Sequence, residues 1–126
     1  MNKIKLLSKT ILITLTATLL LTACSGLKVD EILKNDTPTY MNINRINQDS
    51  YVFIDKEELY VMSDDEGLAN NAKMTVENTE TVFVIIQQSN KTEDKAVAFI
   101  GLKQGKTKAH VVLENGQTKD FTISVG

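Results

Sequence analysis

The stretch Ala109-His110-Val111-Val112-Leu113-Glu114-Asn115-Gly116-Gln117-Thr118-Lys119-Asp120-Phe121-Thr122-Ile123-Ser124-Val125 holds two alternating runs around a turn signal. Ala109, Val111 and Leu113 share one face of the first run. Phe121, Ile123 and Val125 share one face of the second. Directly opposed residues of an antiparallel pair point the same way. A two-residue Asn115-Gly116 turn would set Leu113 against Thr118 and Val111 against Asp120, which mixes the faces. A three-residue Glu114-Asn115-Gly116 loop sets Val111 against Lys119 and Ala109 against Phe121, and both apolar sets then lie on one side. Gly116 takes the left-handed position of the bulge that such a loop carries.

Further toward the N-terminus the same signal repeats. Tyr51-Val52-Phe53-Ile54, Leu59-Tyr60-Val61-Met62 and Lys73-Met74-Thr75-Val76 are short β-branched and aromatic runs, and Met41 and Ile43 alternate with Asn42 and Asn44. Thr81-Val82-Phe83-Val84-Ile85-Ile86 is the most apolar segment after the N-terminal region. It reads as a central strand buried on both faces. Ala96 to Leu102 adds another. Turns between most of these runs predict an all-β sandwich of about seven strands, Ig-like or transthyretin-like, over residues 40–126.

The whole chain has 126 residues, enough for one domain. At 42% hydrophobic and 24% charged it is globular rather than disordered. One Cys, one His and no Trp exclude an intrachain disulfide and a Cys-rich zinc site.

The N-terminus is of a different kind. Lys3, Lys5 and Lys9 precede an uncharged run from Ile11 to Ala23. That run is too short for a spanning helix, which needs about 20 apolar residues, and has the layout of a secretory signal peptide over residues 1–23. It closes on Leu21-Thr22-Ala23-Cys24, which resembles the lipobox of bacterial lipoproteins. The resemblance implies that Cys24 receives a diacylglycerol and becomes the first residue after cleavage. Its lipid would then be the membrane contact, since two or more acyl chains hold a protein stably on a bilayer. Ser25 is compatible with sorting to the outer membrane; in an organism with one membrane the protein would sit on the cell membrane.

Beyond Ala23 the chain has eleven bases against sixteen acids, a net charge of −5. Such a body argues against nucleic acid as a partner. Residues 24–39 read as a lipidated tether with an end-to-end distance of about 20 Å. Val29, Ile32 and Leu33 make one weak helical turn in it, as spacer or docking peptide. Asn35-Asp36-Thr37-Pro38 reads as a breaker.

The C-terminal part carries a second resemblance. Gly101-Leu102-Lys103-Gln104-Gly105, the alternating strand after it, Asn115-Gly116 and the terminal Phe121-Thr122-Ile123-Ser124-Val125 resemble the closing strands of bacterial Ig-like domains. They are also similar to the N-terminal β-domain of pilus secretins. Ser63-Asp64-Asp65-Glu66-Gly67-Leu68-Ala69 is similar to the acidic segment of the secretin-type domain. In overall plan the chain resembles type VI secretion lipoproteins. These resemblances imply a structural or assembly module with no catalytic residues to carry over.

Little in the sequence suggests chemistry. His110 falls on the polar face of its strand without a nucleophile or acid nearby in sequence. Asp64, Asp65 and Glu66 are consecutive, whereas a calcium loop wants alternating acids and a distant Glu. No metal, cofactor or small-molecule substrate is expected. The expected function is a non-enzymatic outer-membrane lipoprotein that anchors or assembles an envelope-spanning secretion or pilus apparatus through protein partners. A surface-exposed Ig-like adhesin and a small periplasmic inhibitor are the alternatives. The candidate docking surface is the loop Ser63 to Asn71, with Leu68 as an apolar anchor among Asp64, Asp65 and Glu66.

Overall fold

The computed structural model describes residues 23–89 and 91–126, with side chains from Val29 onward. Residues 1–22 of the expected signal peptide lie outside it. The elements among the described residues are a helix α1 (Ala23–Asn35), a single 3-10 turn (Ile43–Arg45) and nine strands: β1 (Thr39–Asn42), β2 (Tyr51–Ile54), β3 (Leu59–Asp64), β4 (Gly67–Leu68), β5 (Lys73–Val76), β6 (Val82–Gln88), β7 (Lys95–Gly101), β8 (Gly105–Val112) and β9 (Thr118–Val125). One sheet has the order β1-β3-β7-β6, with the two-residue β4 also on β3, and the other has the order β2-β9-β8-β5. The chain is an all-β sandwich, with nine strands among the described residues where the sequence suggests about seven.

The closing hairpin has the expected register. Val111 opposes Lys119 and Ala109 opposes Phe121. Leu113 donates to the Gln117 carbonyl at 2.8 Å, and Gly116 donates to that of Leu113 at 2.9 Å, which encloses a three-residue loop. Gly116 has φ +89°, the backbone region where a side chain is disfavoured.

The two sheets differ in how many faces they bury, and their sequences differ accordingly. The β8/β9 sheet buries Thr107, Ala109, Val111, Phe121, Ile123 and Val125 against its partner and presents polar residues outward. It alternates, as a one-sided sheet must. In the β3/β7 sheet the runs are continuous. Tyr60, Met62, Val97 and Phe99 point between the sheets, and Tyr60 stacks on Phe99 with centroids 5.5 Å apart. Leu59, Val61, Ala98 and Ile100 point the other way and are equally buried.

Helix α1 covers that second face. Val29, Ile32 and Leu33 recur at helical spacing, and all three are buried against Leu59, Val61, Ile85, Ala98 and Ile100. Lys34 and Asp30 pair along the helix at 3.4 Å. The helix stops ahead of Pro38, which disfavours helical backbone at the residue before it. The expected flexible tether is therefore corrected: this segment is a helix of about 20 Å seated on the sandwich. The docking peptide docks on its own domain.

A second correction concerns Val82–Gln88. Val82 faces the other sheet and Ile85 faces α1, so the strand is buried on both sides. It is not central, because β6 lies at the edge with β7 as its one lateral partner. Apolar patterning reports which faces are covered and carries no information on lateral neighbours. The interior strands are β3 and β7, and in β7 Ala96 to Gly101 are all buried.

Candidate functional site

The loop singled out in the sequence is held more tightly than its composition suggests. Ser63 opposes Leu68 and Asp64 opposes Gly67, so Asp65 and Glu66 form the tip of a tight hairpin. The Asp64 carboxylate accepts from the Glu66 amide at 2.8 Å. Asp65 accepts from the side-chain amides of Asn42 at 2.9 Å and Asn44 at 3.3 Å. Leu68 is partly buried and packs against the cluster beneath α1. Part of its side chain is thus taken up by its own domain, the Asp64 and Asp65 carboxylates bond within the hairpin and to its neighbours, and Glu66 takes part through its amide. A wide groove of about 830 Å³ runs beside them, bordered by Leu113, Glu114 and Asn115 of the closing hairpin. Cys24 falls in the first turn of α1, and its side chain lies outside the described residues.

The more distinctive surface is the outer face of the β2-β9-β8-β5 sheet. Its rim strand β2 runs parallel to β9, a pairing between residues far apart in the chain. The segment leading into β2 sets this up. Gln48 donates to the Asp120 carboxylate at 3.2 Å and accepts from the Asp120 amide at 3.0 Å. The Asp49 amide donates to the Asp120 carbonyl at 2.7 Å, and Thr122 donates to the Ser50 carbonyl at 2.8 Å. Once β2 is in register, Val52 and Ile54 turn inward and Tyr51 and Phe53 turn out.

Pairing then builds two rows across the sheet. Phe53 lies beside Ser124, and Ser124 beside Lys106. Tyr51 lies beside Thr122, and Thr122 beside Lys108. Each row is an aromatic ring, a hydroxyl and a lysine. The rings stack at 6.4 Å, and the Lys106 ammonium sits 5.2 Å from the Tyr51 centroid. Phe53 is 77% exposed and Tyr51 54%.

One row further along, His110 Nδ1 and Asp120 Oδ1 are 2.5 Å apart. The hydrogen bond with His110, then that from Gln48, hold the Asp120 carboxyl below the ordinary carboxylate range. An open groove of about 510 Å³ runs past this pair along Lys108, Thr122 and Thr75. The arrangement offers stacking faces, hydroxyls and cations on a rigid sheet, the means of non-covalent recognition. Among the described residues, no three His, Cys, Asp or Glu side chains are grouped to hold a metal ion, and no helix is long and apolar enough to cross a membrane.

Sequence reasoning places Lys108 and His110 on an outward face but does not find this ladder. Tyr51 and Phe53 read only as members of a short aromatic and β-branched run, and the parallel β2–β9 pairing is what sets them beside the lysines.

Comparison with known proteins shows likeness in fold only. No protein-family model matches the chain, nor does any curated protein. Among solved structures it is similar to domains 4 and 5 of the S-layer protein SbsC, with 20% identity and a TM-score of 0.39 over 60% of this chain and 47% of that one. The chain thus spans about half the length of that S-layer fragment. It is also similar to Amebosin, with 13% identity and a TM-score of 0.45 over 73% of this chain and 100% of that one. The cysteine protease inhibitor EhICP2 from Entamoeba histolytica matches at 12% identity and a TM-score of 0.42, over 71% of this chain and 95% of that one.

Proposed function

We propose that this chain is a lipid-anchored, non-enzymatic β-sandwich of a bacterial cell envelope. It is held at a membrane by Cys24 and works by non-covalent binding as an assembly or display part of an envelope complex. In a two-membrane organism that membrane is the outer one. The observation that carries this reading is the seat of α1. The helix begins at the lipobox and is buried on the sandwich by Val29, five residues after Cys24, an axial rise of about 7.5 Å. A lipid at Cys24 therefore holds the domain close to the bilayer and not on a long tether. The face covered by α1 and the bare aromatic face lie on opposite sides of the sandwich.

Among an assembly part, a surface adhesin and a periplasmic inhibitor, this geometry favours an assembly or display part over a loop-driven inhibitor. The acidic loop that would protrude is folded into a hairpin tied to Asn42 and Asn44. Attachment to a secretion or pilus apparatus is the assembly role the resemblances imply.

Cells expressing the protein or Cys24→Ser and fed labelled palmitate test the anchor. The wild-type chain takes up label and fractionates with membranes; the variant does neither. Label retained in the variant would refute the reading.

A further inference from the structure

The sandwich has two outer faces, and α1 occupies one of them. Among the described residues the other is bare: Lys106 and Lys108 stand in its two aromatic rows and Lys73 on β5, while Asp120 lies one row further along and Asp49 and Glu77 stand at the border of the groove beside Lys108. We propose that the two rows Phe53-Ser124-Lys106 and Tyr51-Thr122-Lys108 bind an anionic polysaccharide, one whose sugar rings bear carboxylate or phosphate groups. The proposal deepens the reading of this chain as an envelope-binding domain by assigning its ligand class.

The chemistry follows the rows. Successive rows are two residues apart, about 6.6 Å along the strands, and within a row the ring and the lysine are two strands apart, about 10 Å. A sugar ring laid on Phe53 or Tyr51 covers apolar surface with the C–H face of the pyranose. Its hydroxyls meet Ser124 or Thr122 midway, and its charged substituent reaches Lys106 or Lys108. The next sugar repeats the contacts on the next row. Lys106 rests over the Tyr51 ring in the free protein, and an incoming carboxylate or phosphate gives its ammonium a stronger partner. The sheet is rigid and the rings are already stacked, so little side-chain order is lost on binding.

Two other polyanions fit less well. A membrane surface would need this face turned to the bilayer, while α1, with Cys24 in its first turn, lies on the opposite side of the sandwich. Single-stranded nucleic acid would stack on the rings, yet it needs a continuous basic track, and the two rows offer only Lys106 and Lys108, with Glu77 beside Lys108 and Asp120 in the next row.

The test uses the full-length lipoprotein in a polyoxyethylene ether detergent, which carries no sugar. Calorimetric titration with polygalacturonate fragments and with a phosphomannan should show binding to at least one, weakening as salt rises. Fully methyl-esterified polygalacturonate, which keeps the rings and loses the charge, should bind at least tenfold more weakly than the free acid wherever the acid binds. Phe53→Ala should lose about tenfold in affinity with an unchanged melting curve, because that ring is in solvent. Lys106→Gln with Lys108→Gln should remove most of the salt dependence. The proposal is overturned if neither polymer binds, if the methyl ester equals the acid, or if Phe53→Ala binds like the wild type. It is equally overturned if oligothymidylate or phosphatidylglycerol vesicles bind tighter than both polysaccharides. Cys24→Ser should bind the polymer unchanged, so loss of anchoring and loss of polymer binding are separate results.

Discussion

Truncating Leu33 to Ala removes three carbon atoms from a side chain that is 5% exposed beneath α1. At about 0.8 kcal/mol for each buried methylene-sized group the transfer loss is about 2.4 kcal/mol, and the cavity left behind brings the cost to about 2–4 kcal/mol. Ile85→Ala, on the sheet side of the same cluster, should cost a similar amount. For a domain of about 100 residues each kcal/mol lowers Tm by about 4–8 °C, so either variant should melt at least 8 °C early. The two losses should not add, because both side chains line one cluster. Once one is gone the helix is free to settle, and a coupling of about 1 kcal/mol or more is expected. Urea unfolding followed by circular dichroism, with wild type, both single variants and the double variant, measures all four corners. A Leu33→Ala cost below about 0.5 kcal/mol, the range of surface sites, would refute the docked helix and restore a loose N-terminal segment.

Other outcomes follow from the fold. A Cβ on Gly101 would lie 2.8 Å from Val125 Cγ1 and 3.2 Å from Ile54 Cδ1, so Gly101→Ala should cost about 1–3 kcal/mol in chemical denaturation, with Val125→Ala in the same chain recovering part of it. Gln87 is fully buried, and neither amide atom has a hydrogen-bond partner among the described residues; Gln87→Met should raise stability by about 1 kcal/mol, read as a higher urea midpoint at unchanged slope. The Asp120 carboxyl is depressed in the folded chain, chiefly by His110, so its contribution is present above the unfolded carboxylate value and lost as pH falls through the folded one. In carbon-detected NMR titrations His110→Ala should move the Asp120 midpoint upward, and an unmoved midpoint would contradict the bond.

What could be read from the residues alone divides by range. The Val111–Lys119 register was accessible because face matching and a glycine turn act within one hairpin. The sandwich itself followed from alternating runs punctuated by turns. Helix α1 was half visible: Val29, Ile32 and Leu33 have helical spacing, but three apolar residues among polar ones show no helix until a sheet face is there to receive them. Leu68 looked like an anchor among acids for the same reason, since the surface that covers it comes from α1 and distant strands. The outer face of the β2-β9-β8-β5 sheet was the least accessible. Tyr51 and Phe53 have the composition of core residues, and their exposure depends on a parallel pairing with the far end of the chain that local patterning does not encode.

Cys24 is the proposed point of attachment, and intact mass spectrometry of the protein recovered from membranes tests it directly. The predicted result is a chain that begins at Cys24 and carries the mass of a diacylglycerol adduct on that residue. A chain that keeps residues 1–23, or that is cut elsewhere and bears no lipid, would contradict the account.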